Sequence, residues 1–202
     1  MLVHQGKVGE TDSMILHLIW KTLVLAWLLT EVLVLVVTRT RRGGGNVQDR
    51  VSLVVLWLVI FAAMFGGSWA GAAYQPAKFH AGHWLAYLCL GLLAAGLAIR
   101  WTAIYTLGKA FSANVAIHAT QRLNVSGVFR WMRHPSYTGM MLIFLAMGLN
   151  THSWLGLGII LALPAAALLY RIHVEEDALT GAFGDEYVEY SRTTKRLIPG
   201  IY

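Results

Sequence analysis

The sequence predicts an all-α integral membrane protein of about five transmembrane helices. Three observations predict it. The 202 residues are 57% hydrophobic and only 13% charged, where soluble domains carry about 25% charged residues. The apolar residues gather into membrane-length runs, and the positive charge gathers in the connections between them. The mean hydropathy is +0.58. The net charge of +6 is therefore explained by topology, and nucleic acid is not read as a partner.

The first apolar run covers residues 14–37 and includes Lys21 and Glu31. It opens after Asp12-Ser13 and lacks a small-residue cleavage site, so no cleavable signal peptide is read. Residues 51–69 and 83–98 supply the second and third runs. Residues 140–149 and 154–170 supply two more, separated by Asn150-Thr151-His152-Ser153. The fourth is long enough only if it begins upstream. Pro135 offers that start, because a proline in the first helical turn lacks an N–H that would be unpaired anyway. Pro164 inside the fifth run is expected to bend it, which neighbouring helices tolerate in a bilayer. Cys89 stands among leucines and excludes an internal disulfide.

The connections orient the bundle. Arg39, Arg41, Arg42 and Arg50 flank the first, opposed only by Asp49. Arg100, Lys109, Arg122, Arg130 and Arg133 are read as filling the long connection after the third span, which holds no acid. The other two connections carry Lys78 and no charge. The positive-inside rule then puts the N-terminus outside and both basic connections, with the C-terminus, in the cytoplasm. Gly43-Gly44-Gly45 is a connector, because no Lys-Ser/Thr follows it as a phosphate loop requires.

Residues 100–137 read as too polar for a span and too long for a plain linker. Trp101, Tyr105, Phe111, Phe129 and Trp131 argue against disorder. An interfacial segment anchored by aromatics and arginines is the plain alternative. After the fifth span, Arg171 and Glu175 are spaced i, i+4 and share a helix face; a surface salt bridge at the helix exit is the plain reading of that pair.

Three pieces taken in order are more specific: Arg133-His134-Pro135-Ser136-Tyr137-Thr138-Gly139, then Arg171 with Glu175-Glu176-Asp177, then Phe183-Gly184-Asp185-Glu186-Tyr187 with Tyr190. Together they resemble the isoprenylcysteine carboxyl methyltransferase family, integral-membrane methyltransferases related to phospholipid N-methyltransferases. The resemblance covers about Leu107 to Pro199. It implies a region 101–202 that is catalytic and lies on the cytosolic side, with a helical hairpin at 137–170, behind an N-terminal region 1–100 of three spans. It implies S-adenosylmethionine as cofactor and a lipidic or prenylated acceptor. Carried over by position, His134, Pro135, Ser136 and Tyr137 resemble cofactor contacts, as do Gln121, Arg122, Leu123, Asn124 and Phe129, with Asn114 further upstream. Glu175 resembles the acidic cofactor ligand and Arg171 the residue that faces the acceptor, which makes the two the expected catalytic pair. The family often has His at Gln121 and Tyr at Phe129. No metal is implied.

The acceptor is expected to be a carboxylate, which needs no general base. A lipid amine or thiol is the alternative, with His134 and Glu175 as candidate bases. A membrane reductase resembling the sterol reductases and using NADPH, and a non-enzymatic scaffold, are readings from other classes. The short N-terminal region and few spans are read as those of a prokaryotic cell-membrane protein. Oligomeric state is left open, a monomer included.

Overall fold

The computed structural model describes residues 2–40, 46–47, 51–108, 111, 116–117 and 122–202, with backbone alone at 2–11, 37–40, 46–47, 51–52 and 116–117. It is almost entirely helical. The elements are α1 (Leu2–Thr40), β1 (Asn46–Val47), α2 (Val51–Ala73), α3 (Trp84–Leu107), β2 (Ala116–Ile117), α4 (Pro135–Asn150), α5 (Trp154–Phe183) and α6 (Asp185–Thr193), with a 3₁₀ turn at Gly127–Arg130 before α4.

Among the described residues, four helical stretches are long and apolar enough to cross a bilayer: Asp12–Val36, Leu53–Ala73, Trp84–Leu107 and Trp154–Phe183. Their outward faces carry large apolar side chains such as Leu18, Phe65 and Trp69, well exposed in the isolated chain. That is the surface a lipid solvent permits, and the protein is a multi-pass membrane protein. The fourth helix, α4, has 16 residues, so it is about 24 Å long and shorter than a hydrocarbon core of about 30 Å. It starts at Pro135, as the proline predicts.

Two boundaries differ from expectation. The third helix does not end at residue 98; it runs through Arg100 to Leu107. The fifth does not end at Tyr170 but continues through Arg171, Glu175, Glu176 and Asp177 to Phe183, with Pro164 inside it. In each case a charged side chain that looks like a span end is instead paired inside the structure.

Close helix crossings set the scaffold. A Cβ placed on Gly139 would meet the Gly96 carbonyl oxygen at 2.5 Å, so α3 and α4 touch backbone to backbone. A Cβ on Gly156 would lie 3.0 Å from the Gly67 carbonyl, which gives α2 and α5 the same intimacy. Small residues at the contact are how helices approach closely in lipid, where burial supplies little drive. Between these pairs lies a core that includes Trp27, Ile60, Leu93, Ile143, Phe144 and Ile160. Trp27 meets Phe144 edge to face, centroids 6.2 Å apart.

The two ends of the bundle differ. At one end the α2–α3 and α4–α5 connections meet: the Phe79 N–H donates to the His152 carbonyl at 3.0 Å, and the Phe79 ring packs on Trp154 at 4.8 Å. Ser153 caps α5 there, its hydroxyl accepting from the Gly156 N–H. At the other end β1 and β2 pair antiparallel, Asn46 opposite Ile117 and Val47 opposite Ala116, joining the α1–α2 connection to the α3–α4 connection. That end also holds α6 and the C-terminal segment, so the polar segments collect together as the charge pattern implies.

Candidate functional site

The site is built where the start of α4 meets the exit of α5. The C-terminal segment runs beside the motif and fixes its backbone. The Arg133 N–H donates to the Lys195 carbonyl at 2.8 Å and the His134 N–H to the Arg196 carbonyl at 2.9 Å. The Thr138 hydroxyl donates to the Leu197 carbonyl at 2.8 Å. The return that brings this segment back is made at Gly184, which has φ +54° between α5 and α6; a residue with a Cβ is strained there.

On α5, Arg171 and Glu175 fall on one face and turn toward α4. The Tyr137 hydroxyl stands between them. It donates to Glu175 Oε2 at 2.8 Å and accepts from Arg171 Nε at 3.2 Å. Arg171 is 3% exposed, so the surface salt bridge is replaced by a buried arrangement through tyrosine. The His134 ring stacks on Tyr137, centroids 5.6 Å apart.

Glu176, one residue on, faces a different way. Its Oε1 accepts from Arg133 Nε at 3.0 Å and lies 3.2 Å from His134 Nε2. Its Oε2 accepts from Arg196 Nη2 at 2.7 Å. Arg133 also donates to the Ser191 and Thr194 carbonyls, which ties α6 to the motif. A buried carboxylate among two guanidinium groups is compensated only when its lone pairs are taken up this way. The hydrogen bonds to Glu176 raise the pKa of the Arg196 guanidinium above its ordinary value. Burial pushes the Tyr190 hydroxyl up to about 12, and that hydroxyl donates to the Phe129 carbonyl at 2.6 Å.

One cavity joins these groups. Arg171, Glu175, His134, Pro135, Ser136 and Tyr137 line it, and so do Arg122, Leu123, Asn124 and Phe129. The sequence-predicted residues that are described are thus brought to one place. Asn114 and Gln121 lie outside the described residues. Within the set, roles divide. Asn124 uses its amide locally: its side-chain N–H donates to the Thr106 carbonyl, and its oxygen accepts from Ser126. The Ser136 hydroxyl accepts from Arg100. Tyr187 also lines the cavity, and its buried hydroxyl has no hydrogen-bond partner among the described residues.

Sequence reasoning quoted Arg133 and Glu176 within the motif pieces without assigning them a contact, and it missed Glu31, Arg100 and Arg196 as neighbours of this site. Glu31 was legible as an ionisable residue inside an apolar span, which by default marks function. Arg100 and Arg133 read as topology charges, and each is paired to an acid far away in sequence. Apolar residues complete the lining: Val34 and Leu35 from α1, Leu53, Leu56 and Trp57 from α2, and Met140 from α4.

Residues 89–181 match the sequence model of the isoprenylcysteine carboxyl methyltransferase (ICMT) family. The chain is 30% identical over 130 residues to protein-S-isoprenylcysteine O-methyltransferase B of Arabidopsis thaliana, covering 58% of this chain and 61% of that protein. It is 32% identical over 132 residues to the Tribolium castaneum protein-S-isoprenylcysteine O-methyltransferase, covering 59% of this chain and 43% of that one. Among solved structures it resembles the eukaryotic intramembrane Ras methyltransferase ICMT, with a TM-score of 0.53 and 27% identity over 73% of this chain and 52% of that one. The chain therefore spans less than two thirds of the length of these relatives, and over residues 89–181 its resemblance to the family is shown.

Proposed function

We propose, from that relationship to the isoprenylcysteine carboxyl methyltransferases, that this protein is an S-adenosylmethionine-dependent methyltransferase. It O-methylates the carboxylate of a lipidic, isoprenylcysteine-like acceptor at the membrane surface. The observation that carries this is the Tyr137 hydroxyl bound at once to Arg171 and Glu175, inside a cavity lined by both charged and apolar side chains.

The residues present fit the cofactor. Glu175 offers a carboxylate, one third exposed, for an ammonium. Phe129 and Tyr190 offer aromatic surface for an adenine, and the Tyr187 hydroxyl, without a partner among the described residues, offers a hydrogen bond. When bound, the cofactor supplies an electrophilic methyl group on a sulfonium. Arg171 supplies a planar fork that can hold an acceptor carboxylate by two hydrogen bonds. A carboxylate is already ionised at neutral pH, so the protein's task is orientation, which supplies much of the rate in a displacement. Tyr137 fixes Arg171 relative to Glu175, and thus the acceptor site relative to the cofactor site. The apolar lining from α1 and α2 suits a tail, each buried CH₂ contributing about 0.8 kcal/mol.

Orientation in the membrane follows the charge pattern. The paired connections that carry the arginine excess sit at the same end as the cavity, which supports a site facing the cytoplasm.

The test is transfer of labelled methyl from S-adenosylmethionine by the purified protein in bilayers, against prenylcysteines, phospholipid amines and small thiols. Base-labile label on a prenylcysteine is the expected result. Label confined to amines or thiols moves the reaction to the alternative acceptor class. Saturable NADPH binding with no binding of S-adenosylmethionine overturns the proposal.

A further inference from the structure

A second cavity lies at the end of the bundle where the α2–α3 and α4–α5 connections meet, away from Tyr137 and Arg171. Trp20 and Val24 of α1, Met64 and Gly71 of α2 and Met147 of α4 form its buried and half-buried lining. Ser68, Lys78 and Asn150 line it too, and all three are exposed. Among the described residues, no acid lines it.

The same helix faces continue into the first cavity, through Val34 on α1, Leu56 on α2 and Met140 on α4, since spacings of three and four keep residues on one face. Between the two sets stand Trp27, Ile60 and Phe144. All three are buried and line neither cavity, and Trp27 meets Phe144 edge to face. They plug the groove between α1 and α2. A tail that enters the first cavity stops at this plug, and the groove beyond it is left to the other leaflet.

We infer that the second cavity is a lipid site: it binds one phospholipid from the leaflet opposite the methyltransferase cavity, with an acyl chain between α1 and α2 and the phosphate on Lys78. Depth argues for the chain. Ala72, which also lines the cavity, stands twelve residues beyond Ile60, about 18 Å along the helix axis. One leaflet's hydrocarbon is ~15 Å deep. Charge argues for the phosphate. Lys78 is the one Lys, Arg, Asp or Glu in residues 74–83, and residues 150–153 have none. Its backbone is held in place, the N–H donating to the Gln75 carbonyl at 3.0 Å and the residue bridging to Ser153. The Asn150 amide and the Ser68 hydroxyl add neutral donors. A headgroup of net negative charge is preferred to a zwitterion, whose own cation competes with Lys78.

Occupation ties the least buried span to the rest. α1 has 17% of its apolar window inside the structure, and helices in lipid are held together by packing contacts. A chain wedged between α1 and α2 supplies contacts that these two helices scarcely make with each other. A ligand that binds the folded state alone stabilises it by mass action.

The experiment uses the full chain, purified in a neutral maltoside detergent and stripped of lipid. Dioleoylphosphatidylglycerol, dioleoylphosphatidylcholine or glycerol 3-phosphate is added back, and native mass spectrometry and thermal melting are read. One phosphatidylglycerol should be retained and raise the melting temperature, phosphatidylcholine should be retained less, and glycerol 3-phosphate should do neither. Lys78→Gln should weaken phosphatidylglycerol about fivefold, the effect of one lysine beside an anionic headgroup, and Lys78→Arg should restore it. Ala72→Trp, at an exposed position, fills the groove and should abolish retention of both lipids. Phosphatidylglycerol retention that Lys78→Gln leaves unchanged overturns the inference, as does equal retention of the two lipids, which is ordinary boundary lipid. A melting shift with glycerol 3-phosphate equal to that with phosphatidylglycerol overturns it in favour of an anion site without a chain. Should Ala72→Trp not fold, the glycerol 3-phosphate comparison decides the role of the chain.

Discussion

Glu176 and Arg196 are joined by two hydrogen bonds, Nε to Oε2 at 2.9 Å and Nη2 to Oε2 at 2.7 Å, so the C-terminal segment is pinned to the exit of α5. The adjacent Glu175 points instead to Tyr137. Consecutive helical residues are rotated by about 100°, and that rotation separates a carboxylate that holds the fold from one that faces the cavity.

Removing Glu176 should therefore act on stability. Glu176→Ala leaves the Arg133 and Arg196 guanidinium groups without their acid, and breaking a buried pair from one side costs about 3–5 kcal/mol. A lowered melting temperature and faster proteolysis after residue 183 are expected. Glu175→Gln should keep the melting temperature within a few degrees and weaken S-adenosylhomocysteine binding in calorimetry. Equal effects of the two changes on stability would erase the distinction.

The α3–α4 crossing gives a second expectation. Gly139→Ala places a Cβ 2.5 Å from the Gly96 carbonyl oxygen and 2.9 Å from the Arg100 backbone nitrogen. Backbone on both sides must separate, which shifts Ser136 and Tyr137 because they are one turn away on α4. Loss of about 1–3 kcal/mol, the usual cost of overpacking, should accompany a larger loss of methyl transfer. Gly158→Ala, where nothing lies within 4 Å of an added Cβ, is the matched control and should leave both unchanged.

These elements show which parts of the fold were legible. The start of α4 was readable because Pro135 states it locally, and the i, i+4 spacing of Arg171 and Glu175 states a shared face. The end of α3 was not readable. A charge at position 100 resembles the end of a span, and only its partner 69 positions away keeps it inside the helix. Likewise nothing local separates Glu175 from Glu176. Their roles depend on Tyr137 and Arg133 from the motif and on Arg196 from the C-terminal segment, which the fold brings to the exit of α5. Tyr187 and Tyr190 stand in the third motif piece, but the contact of Tyr190 with the Phe129 carbonyl exists only once α6 folds back on the motif.

Topology is testable apart from chemistry. Cys89 is 1% exposed, so Cys89→Ala is a quiet background for single-cysteine probes. Asn46→Cys should react with a membrane-impermeant maleimide only after the vesicle or cell is opened, because β1 and β2 lie in the arginine-rich connections, which the positive-inside rule assigns to the cytoplasm. His80→Cys, in the opposite connection, should react from outside. The reverse pattern would invert the orientation and place the cavity on the external face.

The Arg171–Tyr137–Glu175 chain makes the sharpest demand. Arg171→Lys keeps the charge but loses the planar fork and the Nε donor to Tyr137. Turnover should fall while cofactor affinity stays close to wild type. Tyr137→Phe removes a hydroxyl bound to two charged groups, each bond of that kind contributing about 1.5–3 kcal/mol. It should therefore weaken cofactor and acceptor together, where Arg171→Lys affects the acceptor alone. Acceptor chemistry then shows in the pH profile. A carboxylate acceptor is fully ionised from pH 6 to 8, so kcat should be flat across that window in protein shown to be folded. An amine or thiol acceptor must lose a proton before or during transfer, and kcat would climb through the same window. A steep rise in the wild-type protein that is abolished in His134→Ala would identify His134 as a base and move the acceptor out of the carboxylate class.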